Sequence, residues 1–157
     1  MGMLTEHFGV VSLLGPTADY NGSALVSDAV HLGKAEALSI FLMHKGGSTG
    51  KSTLTVVASS DAAATGATAI PFTYRRKTTG ASAVWGDISE ATASGIDTVP
   101  GEDTMIELFV RSEDLPEGKP FVHLGGAEGV NDPVVGAIFA VLHKPRFAGV
   151  SQPDYLS

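Results

Sequence analysis

A chain of 157 residues, 43% hydrophobic and 17% charged, is long enough to bury one core unaided, and its lack of cysteine excludes disulfides and thiolate metal sites. Its net charge of −7, with lysine and arginine scattered, leaves no basic footprint for nucleic acid. The longest apolar run, residues 134–142, is about half of what spans a bilayer, and residues 1–7 lack the basic-then-apolar order of a secretory signal.

Residues 8–14 and 24–32 are short apolar runs that read as strands. In residues 37–44 the period is two, with Leu38, Ile40 and Leu42 on one face; residues 52–59 repeat this with Leu54, Val56 and Ala58. Ile70, Phe72 and Tyr74 alternate with Pro71, Thr73 and Arg75, and residues 83–89 carry the single tryptophan, Trp85. Ile106, Leu108 and Val110 share a face opposite Glu107 and Arg111. Residues 120–124 and 134–144 complete about nine strands, the last reading as the most buried.

Turn residues punctuate the runs: the glycines of 46–50, Thr79-Gly80, Pro100-Gly101, Pro116-Glu117-Gly118, Gly125-Gly126 and Asn131-Asp132-Pro133. A helical turn capped by Ser112 fits residues 112–115. Short strands with no helices between them predict an all-β fold, a β-sandwich or jelly roll of eight to nine strands.

One domain spans residues 1–157, with a body at 24–144 and irregular terminal arms at 1–23 and 145–157. The arms hold Leu4, Phe8, Phe147, Tyr155 and Leu156, the candidate interface residues. They order either against a neighbouring subunit or by strand pairing within the domain. Trp85 is a core residue by default and an interface anchor by alternative.

Two motifs suggest chemistry. Lys45-Gly46-Gly47-Ser48-Thr49-Gly50-Lys51-Ser52 looks like a phosphate-binding loop, but the consensus needs glycine where Lys45 stands. It also needs a helix to follow, and Thr53-Leu54-Thr55-Val56-Val57 favours a strand, so a hairpin loop is expected. Gly46, Ser48 and Gly50 match a nucleophile elbow, which again requires a following helix. His7, His31, His44, His123 and His143 sit singly, without ligand spacing. No catalytic, metal or cofactor residue is assigned. Glu102-Asp103 and Glu113-Asp114 lie beside turns, where a calcium site is open but unsupported.

Five segments taken in order carry a resemblance: Ile70-Pro71-Phe72-Thr73-Tyr74-Arg75, Val84-Trp85-Gly86-Asp87, residues 114–122 from Asp114-Leu115-Pro116 to Phe121-Val122, Pro133-Val134-Val135-Gly136-Ala137, and Pro145-Arg146-Phe147. Over about residues 38–148 the chain resembles the capsid decoration (cement or auxiliary head) proteins of tailed bacteriophages. The resemblance rests on order and spacing; no single segment is a sharp motif. It implies a jelly-roll or sandwich subunit, a homotrimer, bound to the major capsid protein on the outer surface of the virion. Such a subunit is made in the host cytoplasm, contacts neither nucleic acid nor membrane, and has no catalytic residues. An acidic surface suits a subunit outside a nucleic-acid container. The alternatives are a tail or head–tail connector subunit and a carbohydrate-binding β-sandwich.

Overall fold

The computed structural model describes residues 8–17, 19–20, 24–45, 49–78, 84–100, 103–130 and 133–144. These form twelve strands: β1 (Gly9–Thr17), β2 (Leu25–Val26), β3 (Val30–His31), β4 (Ala37–Lys45), β5 (Lys51–Ser59), β6 (Thr68–Ile70), β7 (Phe72–Thr78), β8 (Ser89–Ala91), β9 (Ile96–Asp97), β10 (Asp103–Arg111), β11 (Phe121–Val130) and β12 (Val135–His143). Two three-residue 3₁₀ turns, Leu32–Lys34 and Ser112–Asp114, are the helical pieces among the described residues. The expected all-β fold is what forms. Ser112 does not cap its turn, because Arg111 holds the cap position without a side-chain bond.

Every ladder is antiparallel. Sheet A runs β1-β12-β4-β10-β7-β8; sheet B runs β2-β11-β5-β6, with β3 also beside β11 and β9 beside β5. The pairings are nested along the chain: β1 with β12, β2 and β3 with β11, β4 with β10, and β5 with β6.

The period-two residues account for the core. Leu38, Ile40 and Leu42 of β4, Ile106 and Leu108 of β10, and Ile138 and Leu142 of β12 point inward from sheet A, all essentially inaccessible. Leu54, Val56 and Ala58 of β5 meet them from sheet B with Val122 and Leu124 of β11. Each such side chain contributes about 1.5–3 kcal/mol by leaving water.

The alternating run 70–75 proves to be two strands in different sheets. Pro71 stands exposed at the corner, with no N–H to donate to a ladder, so the chain leaves sheet B after Ile70 and enters sheet A at Phe72. Ile70 and Phe72 are both buried because each reaches the core from its own side.

Three expectations need correction. The connection after Lys45 is no hairpin: β4 lies between β12 and β10, whereas β5 lies in sheet B, so the chain crosses between sheets there. Gly125-Gly126 is no turn but the middle of β11, where neighbouring side chains stand close to the place of a Cβ. A Cβ on Gly125 would lie 2.9 Å from Thr55 Oγ1, and one on Gly126 would lie 3.1 Å from Leu25 Cβ. Finally, the segment 1–23 is not all arm. Gly9–Thr17 pairs with β12, and Val11, Leu13 and Tyr20 are in the core, so the body begins well before residue 24.

Lys51–Ser59 is a strand, so the glycine-rich loop is followed by no helix N-terminus to hold a phosphate. Lys51 instead sits 2.6 Å from Asp97 Oδ2, while Thr53 Oγ1 donates to Asp97 Oδ1 at 2.7 Å. These bonds, the one from Lys51 first, hold the Asp97 carboxyl below its usual range. Lys51→Ala is expected to cost less than about 1 kcal/mol, because the pair is largely in solvent. A titration with ATP and magnesium should give no heat of binding. Micromolar affinity that disappears in the alanine variant would restore the phosphate-loop reading.

Candidate interaction face

An antiparallel sheet with one wet side should alternate apolar-in and polar-out. Sheet A departs from that rule in its central strands. The residues opposite the core side include Phe41 and Met43 on β4, Val135, Phe139 and Val141 on β12, Met105 and Phe109 on β10, and Val10 on β1. Val10, Met43 and Val135 are 43%, 46% and 50% exposed. Direct register between β4 and β12 sets Phe41 across from Phe139, and their rings stack at 5.0 Å with planes 10° apart.

Trp85 joins this outer face rather than the core. Its backbone bridges Lys77 on the sheet edge, and its half-buried ring meets Phe41 edge-on at 6.4 Å. The Arg75 guanidinium lies 4.5 Å from the Trp85 ring and Lys77 Nζ lies 5.9 Å from it. The quadrupole of the indole attracts both cations. Val84 and Ile88, on either side of Trp85, are more than 70% exposed.

A polar knot sits within the aromatic strip. Ser39 Oγ donates to Glu107 Oε1 at 2.8 Å and lies 2.9 Å from His143 Nε2. Arg75 grips the other oxygen of Glu107 at 2.6 Å. The serine has one proton, and Glu107 takes it, so His143 must present Nε2–H to Ser39 Oγ. That is the reverse of an activated nucleophile, whose histidine accepts the proton. Ser39 is moreover only 1% exposed. The arrangement ties four strands together, β4, β10, β12 and β7, and offers no attacking oxygen. Phe8 and Phe109 flank His143, with centroids at 5.9 and 5.8 Å.

Two adjoining clefts of about 450 and 410 Å³ open beside the knot and share Thr73, Phe109 and Arg111. Glu90 and Asp114 stand at the rim of the first, Ile88 at the second.

Sheet B differs. The outward residues Lys51, Thr53 and Thr55 of β5 are half-buried beside the exposed Ala127 of β11, a surface of small and polar groups. His123 also points outward there, yet it is buried and its Nδ1 has no hydrogen-bond partner among the described residues. Burial pushes its imidazole below the usual histidine pKa. The unfolded chain takes up this proton below about pH 6.5, whereas the folded chain resists it until lower pH. Stability from this group is therefore full above about pH 6.5 and falls as pH drops toward the folded value. Comparing urea midpoints at about pH 7.5 and 5.5, His123→Gln should show a smaller loss than the parent chain. Equal losses would refute the assignment.

Of the candidate interface residues, Phe8 lies on this outer face against His143. Leu4, Phe147, Tyr155 and Leu156 lie outside the described residues. Phe41, Phe109 and Phe139 were missed as surface residues. The signal was available, since each sits at the off-phase position of an alternating run whose in-phase members are aliphatic. Among the described residues no three His, Asp or Glu side chains are placed to share a metal ion, and no helix is long and apolar enough to cross a membrane. No protein-family model matches the chain, and no curated protein matches it either.

Proposed function

We propose that this chain is a structural subunit that works by packing against other protein chains and, from the sequence resemblance, that it decorates the outer surface of a tailed-bacteriophage shell. The observation that carries the first part is the aromatic outer face of sheet A. A contiguous apolar patch rimmed by charge is the mark of a protein–protein surface, and large aromatics and arginine dominate the energetics of such surfaces. Phe41, Phe139, Trp85 and Arg75 supply those types within a single strip. The nested strand pairing supports the second part, because a sandwich of two antiparallel sheets with first and last strands paired is compatible with the subunit that the resemblance implies. A shell under internal pressure gains from many modest contacts, since each bound subunit stabilises the closed lattice by mass action and repeated attachment raises apparent affinity.

The test is co-sedimentation with DNA-filled heads, counting copies per shell. The chain should saturate at a fixed copy number. Met43→Asp with Val135→Asp, both at half-exposed positions, should weaken binding about tenfold or more while leaving the circular dichroism spectrum and melting curve intact. Heads that sediment without the protein would end the capsid reading.

A further inference from the structure

Phe109 stands at the meeting point of three clefts on the outer face of sheet A. The two of about 450 and 410 Å³ share it with a third of about 350 Å³, which runs toward Glu36, Ser112 and Glu113. The largest has apolar walls from Pro71, Phe72, Ala91 and Phe109, and carries Glu90 and Asp114 at its rim. Register sets Phe109 across from Thr73 and Thr73 across from Glu90, so Glu90 starts two strands, about 10 Å, from Phe109. Asp114 ends the 3₁₀ turn that follows β10. The other charges lining the groove are met within the fold: Arg75 by Glu107 at 2.6 Å, Arg111 by Glu113 at 3.2 Å, and Glu36 by Lys144 at 3.0 Å. The carboxylates of Glu90 and Asp114 have no ion-pair partner among the described residues. The groove thus holds two negative charges that the fold leaves unneutralised.

We propose that this groove receives an arginine side chain presented by a partner protein. The inference rests on the packing-subunit reading and names the chemistry of what packs there. The apolar walls accept the methylene stem, the Phe109 ring attracts a cation through its quadrupole, and Glu90 and Asp114 meet the charged head at the rim. A small inorganic cation gains nothing from Pro71, Phe72, Ala91 and Phe109, because such ions need a shell of oxygens. An anionic or wholly apolar segment would cover both carboxylates without supplying a counter-charge, which costs free energy that the apolar contact must first offset. Guanidinium suits the site better than ammonium, since its plane lies flat on an aromatic ring and its fork of donors matches a carboxylate. The fold uses the same combination internally: Arg75 lies 4.5 Å from the Trp85 ring while it bonds Glu107. A net charge of −7 also steers basic segments toward the chain.

A magnetic resonance titration of the full isotope-labelled chain with Nα-acetyl-arginine amide tests this without any shell present. The amides of Thr73, Glu90, Phe109 and Asp114 should shift saturably. Nα-acetyl-citrulline amide, of the same shape but uncharged, should bind about tenfold more weakly, as should the arginine probe to the double variant Glu90→Gln/Asp114→Asn. Both side chains are exposed, so the variant should keep the circular dichroism spectrum and melting temperature of the parent chain. Equal affinity for the two probes, or unchanged affinity in the double variant, would overturn the inference. So would maltohexaose moving these amides when the arginine probe does not, or shifts that follow chain concentration alone, which would give the groove to a glycan or to a second copy. The decoration reading fails separately: heads that ignore a chain able to take the probe sink only the capsid assignment, and heads that bind a chain blind to the probe sink only the arginine site.

Discussion

Gly95→Ala is expected to cost about 3 kcal/mol or more, because two independent penalties fall on one Cβ. Gly95 has φ +84, a conformation that a side chain adopts only under strain. The added carbon would also press into the carbonyl oxygen of Leu54 and lie 2.8 Å from Thr55 Cγ2. Leu54 is fully buried and its ladder to β9 runs directly beneath the turn, so the backbone has little room to yield. Gly66 is the control. It has φ +63 but open space around the position of a Cβ, so Gly66→Ala should cost only about 1 kcal/mol. Urea denaturation of both variants separates conformational strain from collision. If Gly95→Ala loses no more than Gly66→Ala, the close approach to Leu54 is wrong.

Removing residues 1–14 is expected to destroy the fold. From the sequence alone this segment belongs to an irregular terminal arm, but it contains most of β1. The deletion removes Val11 and Leu13 from the core, each contributing about 1.5–3 kcal/mol, and uncovers the β12 residues they shield. It also strips the ladder partner from Ala140, Val141 and Leu142, leaving β12 as a long apolar edge open to pairing with other chains. The truncated chain should be aggregated or unfolded by circular dichroism and light scattering. Leu13→Ala alone should fold with a loss of about 2–5 kcal/mol. A truncated protein that melts cooperatively near the parent temperature would return residues 9–14 to the arm.

The inward faces of β4, β5, β10 and β12 were legible because alternation of Leu, Ile and Val with polar residues is a local signal. The sheet to which each strand belongs was not. Nothing local in Ile70-Pro71-Phe72 distinguishes a kinked strand from a change of sheet, and nothing in Lys45-Gly46-Gly47 distinguishes a hairpin from a crossing. Gly125-Gly126 reads as a turn until Leu25 and Thr55 are seen against it. Trp85 is ambiguous for the same reason, since its burial depends on Phe41 and Arg75, distant in sequence. The candidate site was legible through Phe8 and through the alternative reading of Trp85 as an anchor. The aromatic strip is assembled from four separated segments, and only the register of β4 with β12 and β10 makes them one surface.

The nested pairing also sets a timetable for synthesis. Val56 finds Ile70 soon after both leave the ribosome, and β4 can close on β10 later. Gly9 must wait for Leu142, near the far end of the described chain. During that interval Val11 and Leu13 have no core to enter, and loop closure between such distant residues is slow. The first strand made is thus the last to be seated, and a slow final phase reported by β1 amides is the expected signature in pulse-labelled hydrogen exchange.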